Sequence, residues 1–375
     1  MCFTFNMNIQ KVSATNFKGY DARPLKGFFM SSNSHRIAEE MQAIGKKEGF
    51  KIYSRLKLGQ GLICDEFIPA LIPKGIRDLW AQDYWTFLSD KLLAFTNKYD
   101  TYPICDYFKI NHHETDKHMS GGNMFIVNKD GEEVMLLGES ELKDFSVKHL
   151  KSTYGVSKIY TLPQMDYHID LFVRPLKDKK ILVADDKKMI ELLEKGLSAI
   201  LKYAKDNNIE SNDILKSVIE TYKNGMEHFK KAVRTNTLPR TEEIVNILTQ
   251  EGFEPIRIPG RFYDITKYPD EESFLSHDCN YINANVFEKE NGDLVYITNK
   301  SNLDSLLGLK VDILEDLDFS IEKEFIKSLA PYIKPEKIYF VSGDVDFIPD
   351  LMLKGMQGGI HCVCSEIPLE IGVVK

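Results

Sequence analysis

The tripeptide Lys-Ile-Tyr occurs three times in the chain, as Lys51-Ile52-Tyr53, Lys158-Ile159-Tyr160 and Lys337-Ile338-Tyr339. Each copy opens a short run of β-prone residues and follows a stretch whose apolar residues recur at helical spacing. These helices are predicted at His35–Lys47, around His149–Tyr154 and at Ile321–Ala330. Gly49 and Gly155 end the first two of them. A helix followed by the same strand motif, three times over, predicts an internal repeat.

A fourth segment has the same order of helix, glycine and strand but lacks the tripeptide. Its helix is predicted at Thr241–Leu248, its stop at Gly252 and its strand at Phe253–Ile258. Pairs of strands joined by turns that contain glycine lie between these units. Such hairpins are predicted at Asn123–Val127 with Val134–Leu137 and at Asn283–Phe287 with Leu294–Ile297. Strand, turn, strand, helix and strand, repeated in this order, predict an α/β fold.

Residues 185–235 interrupt the repeat. They are predicted to form two helices, Met189–Ala204 and Ile214–Val233, joined at Asp206-Asn207-Asn208. The first helix carries an apolar stripe made of Met189, Leu192, Leu193, Leu197, Ile200 and Leu201. This helical hairpin is either a lid or recognition module or a packed embellishment, and the sequence leaves both interpretations open.

The composition limits what the protein binds and where it works. The chain has 375 residues, 48 Lys and Arg against 56 Asp and Glu, and a net charge of −8. We therefore expect no nucleic-acid partner. No membrane span and no signal peptide are expected either. The six cysteines are scattered without metal-ligand spacing. We expect one domain over residues 1–375 in the cytoplasm, with export by a route that lacks a cleaved signal left open.

One cysteine near the end of the chain lies on a constrained backbone. Cys362 follows a glycine pair within Gly358–Pro368, where glycine permits close backbone approach. A thiol becomes a nucleophile when a neighbour favours the thiolate. His168 and Asp170 are alternate residues of a segment predicted to end a strand, so both would face one site. They are candidates for a general acid/base and an electrostatic anchor, with a surface or capping role as the alternative.

Both tryptophans of the chain, Trp80 and Trp85, flank Asp83. Aromatic walls around a carboxylate suit a planar cation such as guanidinium, although a core aromatic cluster explains the pattern equally well. Two clusters invite a metal interpretation but lack regular ligand spacing, and we expect no metal there. They are His112, His113, Glu114, Asp116 and His118, and Asp344, Asp346 and Asp350.

Five motifs, taken in order, resemble those of the guanidino-group-modifying (pentein) superfamily, which includes protein-arginine, agmatine and arginine deiminases and amidinotransferases. The motifs are Trp80-Ala81-Gln82-Asp83, Gly121-Gly122-Asn123, His168-Ile169-Asp170, Asn280-Tyr281-Ile282-Asn283 and Gly358-Gly359-Ile360-His361-Cys362. The resemblance implies a fivefold pseudosymmetric propeller of ββαβ units as one guanidine-modifying domain, into which residues 185–235 are inserted.

The resemblance also implies roles for individual residues. Cys362 would attack the guanidinium carbon, and His168 would protonate the departing ammonia and then activate water. Asp83 and Asp170 would bind the guanidinium nitrogens. The substrate-binding set would be completed by Trp80, Asn123, Asn283, Gly359 and His361. The implied reaction converts guanidinium and water into a ureido group and ammonia, without a metal or organic cofactor in the chemistry.

Four departures from the family pattern are present, and one of them, the helical insertion at residues 185–235, leaves the choice of substrate open. Ser120 stands where agmatine deiminases usually carry an acidic residue, and Gln82 stands where they favour arginine. The Trp-x-Gln-Asp motif is closer to the calcium-dependent protein-arginine deiminases, so peptidyl arginine is the expected substrate and a calcium requirement is left open. Cys364 replaces a common threonine. The alternatives are agmatine or free arginine as substrate, an amidinotransferase, or an inactive arginine-binding protein.

Overall fold

The computed structural model describes residues 22–30, 35–54, 64–68, 81–83, 85–88, 91–94, 102–114, 119–165, 168–236, 238–263, 277–341 and 359–369. Its α-helices are α1 (His35–Glu48), α2 (Tyr102–Phe108), α3 (Val147–Tyr154), α4 (Asp186–Asp206), α5 (Asp213–Asn236), α6 (Leu238–Gln250), α7 (Leu303–Leu306), α8 (Ile321–Leu329) and α9 (Ile360–Val363). Short 3-10 helices span Ala81–Asp83, Gly121–Asn123, Glu139–Lys143, Ile169–Leu171, Asp312–Leu314 and Pro335–Lys337.

The strands follow in chain order between these helices. They are β1 (Leu25–Met30), β2 (Lys51–Ser54), β3 (Glu66–Phe67), β4 (Trp85–Phe87), β5 (Lys91–Ala94), β6 (Asn111–Glu114), β7 (Met124–Lys129), β8 (Glu132–Gly138), β9 (Lys158–Leu162), β10 (Val173–Pro175), β11 (Lys180–Ala184), β12 (Glu254–Ile258), β13 (Arg261–Tyr263), β14 (His277–Asn280), β15 (Asn285–Glu288), β16 (Leu294–Asn299), β17 (Ile338–Val341) and β18 (Cys364–Pro368).

Five sheets share one connectivity within the described ranges. Each contains an antiparallel pair and a third strand that runs parallel to its neighbour after a helical crossover. Their strand orders are β18-β1-β2-β3, β4-β5-β6, β7-β8-β9, β10-β11-β12 and β15-β16-β17, and β13 pairs with β14 separately. No strand pairing joins one of the described sheets to the next. The structure therefore confirms repeated ββαβ units in an α/β fold, whereas their closure into a propeller stays a prediction.

The helix–strand repeats predicted from the sequence are present, with bounds that shift by a few residues. Gly155 has φ 72° as the C-cap of α3, and its N–H donates to the Lys151 carbonyl. Such a left-handed end is accessible to glycine without strain, and it turns the chain into β9. The two predicted hairpins are also present, as β7 with β8 and β15 with β16. The positions of these helices and strands therefore follow from local sequence patterns.

The two helices expected within residues 185–235 are α4 and α5, and α4 packs into the largest apolar core. The predicted stripe on α4 is buried at Met189, Leu192, Leu193 and Ile200 and half-buried at Leu197. The exception is Leu201, which is 45% exposed and was wrongly assigned to the stripe. A face committed to the core favours the packed embellishment over a mobile lid.

A buried carboxylate ties the first repeat to the last. Glu48 is the final residue of α1, and it accepts hydrogen bonds from Lys289, Lys337 and Tyr339. Burial alone would raise the pKa of Glu48, but the bonds from Lys337, Tyr339 and Lys289 outweigh it and lower this pKa to about 2. The ionised carboxylate therefore contributes to folding stability at neutral pH.

Candidate active site

Helix α9 carries the predicted nucleophile, and two asparagines fix its first turn. Asn299 Oδ1 accepts from Ile360 N at 2.8 Å, and Asn283 Oδ1 accepts from His361 N at 3.1 Å. Gly359 precedes the helix, and a Cβ there would lie 2.4 Å from both Asn283 Oδ1 and Asn299 Nδ2. The glycine thus lets the amide oxygens reach the free N–H groups that every helix start exposes.

The Cys362 thiol lies in a buried cluster of polar atoms. Asn283 Nδ2 lies 3.2 Å from Cys362 Sγ and 3.0 Å from Asp170 Oδ2. The thiol in turn donates to Asp170 Oδ2 at 3.4 Å. Cys362 is 6% exposed and Asp170 is 0% exposed. The structure therefore brings together three of the predicted residues, Asp170, Asn283 and Cys362. The first and the last of them are 192 positions apart along the chain.

His168 and Asp170 do not end a strand, and this prediction was wrong. His168 has extended backbone, and the 3-10 helix Ile169–Leu171 follows it directly. Both side chains nevertheless face one point. A Cβ on Gly122 would lie 2.8 Å from His168 Nδ1 and 2.9 Å from Asp170 Oδ2. Gly122 is therefore required for the close approach that the glycine pair suggested.

Asn123 shapes the turn that carries His168 and Asp170. Its Oδ1 accepts from Ile169 N at 3.1 Å, and its Nδ2 donates to Ser140 Oγ at 3.0 Å and Glu141 Oε1 at 2.9 Å. Both amide N–H groups are thus engaged inside the protein. This geometry gives Asn123 a role in positioning the turn, and the substrate contact that the resemblance implies for Asn123 stays a prediction.

His361 is buried, and its ring has two polar partners. Its Nδ1 lies 2.8 Å from Asp170 Oδ2, and Gln82 Nε2 lies 2.9 Å from its Nδ1 and 3.0 Å from its Nε2. Burial, followed by the nearby charges of Arg174 and His168, lowers the pKa of His361 well below its usual range. A neutral ring with its proton on Nδ1 can donate to Asp170, and its unprotonated Nε2 is then the ring atom that can accept from Gln82.

The segment that carries Asp83 lies against the glycine pair. A Cβ on Gly121 would lie 2.2 Å from the carbonyl oxygen of Gln82, so the 3-10 helix Ala81–Asp83 contacts the loop before β7. This contact brings the backbone of Asp83 to the edge of the site. The Asp83 side chain and Trp80 lie outside the described residues, so their predicted roles stay predictions.

Two charged residues of the site were missed from the sequence. Arg174 and Glu366 are 1% and 7% exposed and form an ion pair at 3.1 Å. The available signal was a single charged residue inside each of two otherwise uncharged strands, β10 and β18. Cys364, at the start of β18, is also buried, and burial raises the pKa of its thiol. Cys364 is thus poorly suited to act as a second nucleophile.

Within the described ranges, no group of three or more His, Cys, Asp or Glu side chains is placed to hold a metal ion. His112 instead stacks on Tyr102, with ring centroids 4.1 Å apart. Asp116, His118 and the aspartates of residues 344–350 lie outside these ranges. None of the helices in the described part of the chain has the length and apolar character needed to cross a membrane.

No protein-family model matches this chain, and no curated protein sequence does. Among solved structures, C. jejuni agmatine deiminase aligns with a TM-score of 0.51 and 17% identity, over 94% of this chain and 95% of its own. ArgZ, an arginine dihydrolase from the ornithine–ammonia cycle in cyanobacteria, aligns with a TM-score of 0.42 and 10% identity, over 92% of this chain and 40% of its own. The first match shows that this chain shares the fold of that enzyme.

Proposed function

We propose that this protein is a cysteine-dependent hydrolase that deiminates a small guanidino compound, agmatine or free arginine, to a ureido product and ammonia. The observation that carries the proposal is the convergence of Cys362 Sγ, Asp170 Oδ2 and Asn283 Nδ2 within 3.0–3.4 Å of one another, with His168 Nδ1 facing the same point. A thiol, a carboxylate and an imidazole are the groups that guanidine hydrolysis requires.

The substrate class differs from the one that the Trp-x-Gln-Asp motif favoured. Peptidyl arginine was the first expectation, and the full-length fold match to an agmatine deiminase supports the small-molecule alternative better. The site itself is buried. Asp170 is 0% exposed and Cys362 is 6% exposed, so a substrate must present a slender chain to reach the sulfur, as agmatine, free arginine and a peptidyl arginine side chain all do.

Binding would begin at Asp170. A guanidinium is protonated at neutral pH and carries only N–H donors, so a buried carboxylate can orient it by charge and hydrogen bonds. Oδ2 of Asp170 already accepts from Asn283, His361 and the Cys362 thiol. An incoming guanidinium would replace the thiol as donor to this oxygen. Asp83 would bind the nitrogens at the other side, as the resemblance implies.

The chemistry would run through Cys362 and His168. The thiol proton passes to His168, and the bound cation stabilises the thiolate that remains. The sulfur forms a bond to the guanidinium carbon, and His168 returns the proton to the nitrogen that leaves as ammonia. The resulting thiouronium is attacked by a water molecule whose proton His168 takes. Carbon–sulfur cleavage then releases the ureido product and restores the thiol. Asn283, as a donor to Sγ, would stabilise the sulfur anion at both stages.

The proposal extends to the architecture. We place the five ββαβ sheets around this site as a propeller. Strand β18, which follows Cys362, pairs with β1, and 3-10 helices from separate repeats carry Asp83, Asn123 and Asp170. Catalytic groups from several repeats would then meet near one pseudosymmetry axis. A site of this kind depends on every repeat being folded.

The test is a side-by-side assay of ammonia release and ureido formation with agmatine, free arginine and a blocked arginine peptide. We expect turnover of a small guanidine and none of the peptide. Cys362→Ala should abolish turnover, while the matched control Cys364→Ala, two residues further on, should retain it. Turnover of the peptide alone would restore the first substrate expectation. Full activity of Cys362→Ala would refute the mechanism.

A further inference from the structure

Three polar groups surround the side-chain amide of Asn123, which is 1% exposed. Its Oδ1 accepts from Ile169 N at 3.1 Å. Its Nδ2 donates to Glu141 Oε1 at 2.9 Å and to Ser140 Oγ at 3.0 Å. The amide is also closely enclosed, because a Cβ on Gly138 would lie 2.0 Å from its Oδ1 and 2.8 Å from its Nδ2. It therefore has little room to move away from these partners.

These partners differ in what they can offer to the amide. The backbone N–H of Ile169 can only donate, so it requires Oδ1, whereas the ionised carboxylate of Glu141 can only accept, so it requires Nδ2. The Ser140 hydroxyl can do either and imposes no orientation. Burial raises the pKa of Glu141, although the bond from Asn123 opposes this, and a protonated carboxyl would still keep an oxygen that accepts. Glu141 and Ile169 thus select the same orientation of the amide from opposite ends.

The short helix that carries Glu141 is itself fixed. It spans Glu139–Lys143, and both of its first two residues bond to Gln164. Ser140 N donates to Gln164 Oε1 at 2.7 Å, and Gln164 N donates to Glu139 Oε1 at 3.1 Å. Glu141 therefore reaches Asn123 from a turn whose backbone is held in place.

The bond from Ile169 N matters because of the residues on either side of it. His168 precedes Ile169 and Asp170 follows it, and a Cβ on Gly122 would lie 2.8 Å from His168 Nδ1 and 2.9 Å from Asp170 Oδ2. A misplacement of about 1 Å at reacting groups can cost about 100-fold in rate. Loss of this bond would therefore disturb both side chains together.

We propose that Glu141 is a positioning residue of the active site. By accepting from Nδ2, it keeps the Asn123 amide turned with Oδ1 toward Ile169 N, and so holds the turn that carries His168 and Asp170. The importance of this turn for turnover rests on the proposed function, whereas the orientation of the amide does not. Glu141 acts through Asn123 and takes no part in the chemistry itself.

The experiment compares Glu141→Gln and Glu141→Lys with the control Glu132→Lys, the same charge reversal at an exposed position of β8. Glutamine can still accept from Nδ2 through its carbonyl oxygen. A lysine ammonium can only donate, so it favours the opposite orientation, with Nδ2 against Ile169 N. Two donors then face each other and a buried N–H loses its bond. We expect Glu141→Lys to lower kcat for agmatine by about 10- to 100-fold, Glu141→Gln to stay within about threefold of the wild type and Glu132→Lys to have no effect.

Hydrogen exchange followed by mass spectrometry reports on the Ile169 N–H without requiring turnover, and β9 (Lys158–Leu162) serves as the internal reference. Exchange at Ile169 should be faster than wild type in Glu141→Lys and unchanged in Glu141→Gln. A general contribution of the Glu141 charge to stability would not predict this rescue by glutamine. The proposal is overturned if glutamine is as harmful as lysine, or if neither variant changes exchange or kcat.

If Glu141→Lys does not fold, Glu141→Met replaces it, because methionine has a similar length and offers no comparable acceptor. Faster exchange at Ile169 in that variant supports the proposal, and unchanged exchange overturns it. If the wild type turns over no guanidino compound, the proposed function fails, and the exchange rates still decide whether Glu141 orients Asn123.

Discussion

Replacing Asn283 with aspartate tests how the site supports its nucleophile. The substitution keeps the Oδ1 acceptor for His361 N, which is 3.1 Å away. It removes the two hydrogen bonds that Nδ2 donates, to Cys362 Sγ at 3.2 Å and to Asp170 Oδ2 at 3.0 Å. A negatively charged oxygen takes the place of that donor. The change therefore acts on the thiolate and the carboxylate while it preserves the contact that holds α9.

The expected cost follows from these distances. Each donated bond to a charged group contributes about 1.5–3 kcal/mol. Two carboxylates about 3 Å apart would repel by about 5 kcal/mol at an effective dielectric constant of about 20, so the pair would hold a shared proton and lose much of its charge. We expect kcat/KM to fall by at least about 100-fold, which corresponds to about 3 kcal/mol. Asn283→Ala removes the same two donated bonds without adding a charge, so its kcat/KM should fall by less than that of Asn283→Asp.

Steady-state ammonia release from agmatine measures both variants, and the rate at which iodoacetamide alkylates Cys362 at neutral pH provides a second readout. The aspartate variant should be alkylated more slowly than the alanine variant, because an adjacent negative charge raises the pKa of a thiol. Thermal unfolding checks that both are folded. The reasoning is refuted if both variants keep kcat/KM within about threefold of the wild type.

Three further predictions follow from single side chains. The contribution of Glu48 to the free energy of unfolding is present above about pH 4.5 and is lost as pH falls toward its folded pKa of about 2. In urea unfolding, the wild type should therefore lose about 2 kcal/mol more of its free energy of unfolding than Glu48→Gln does between about pH 7 and about pH 3. Gly122→Ala should lower kcat/KM by more than about tenfold, since its Cβ would lie 2.8 Å from His168 Nδ1; Gly225→Ala, on α5, is the control and should leave it unchanged. Mass spectrometry after iodoacetamide treatment of the folded protein should find Cys362 modified and Cys364 unmodified, and equal labelling would contradict the difference in their environments.

Local patterns in the sequence predicted the repeated units well. Gly155 ends α3 in a left-handed conformation, and the tripeptide Lys158-Ile159-Tyr160 opens strand β9, as predicted. These features depend on neighbours a few residues apart, so a single sequence contains their causes. The same applies to the hairpin of β7 and β8, where the turn residue Gly131 has φ 90°.

Features that depend on distant partners were predicted poorly. Alternation placed His168 and Asp170 on a strand, yet Asn123, 46 residues away, binds Ile169 N and supports a 3-10 turn instead. The Arg174–Glu366 ion pair joins residues 192 positions apart, and the sequence around each residue does not indicate which residue it pairs with. The order of the motifs along the chain predicted which residues form the site. The hydrogen bonds between these residues join positions far apart in the sequence, so they could not be predicted.

Uncharged amides do most of the positioning around the nucleophile. Asn280 turns its Oδ1 to the N–H groups of Ile282 and Asn283, and Asn299 Nδ2 donates to the carbonyl oxygens of Asn280 and Asn283. An amide satisfies donors and acceptors without adding charge, so it fixes geometry without competing with the carboxylate for a cation. Among the described residues, Asp170 is the carboxylate that contacts the thiol. This arrangement explains why the aspartate variant of Asn283 is expected to be more harmful than the smaller alanine variant: the site can lose an amide contact more readily than it can accept a second negative charge.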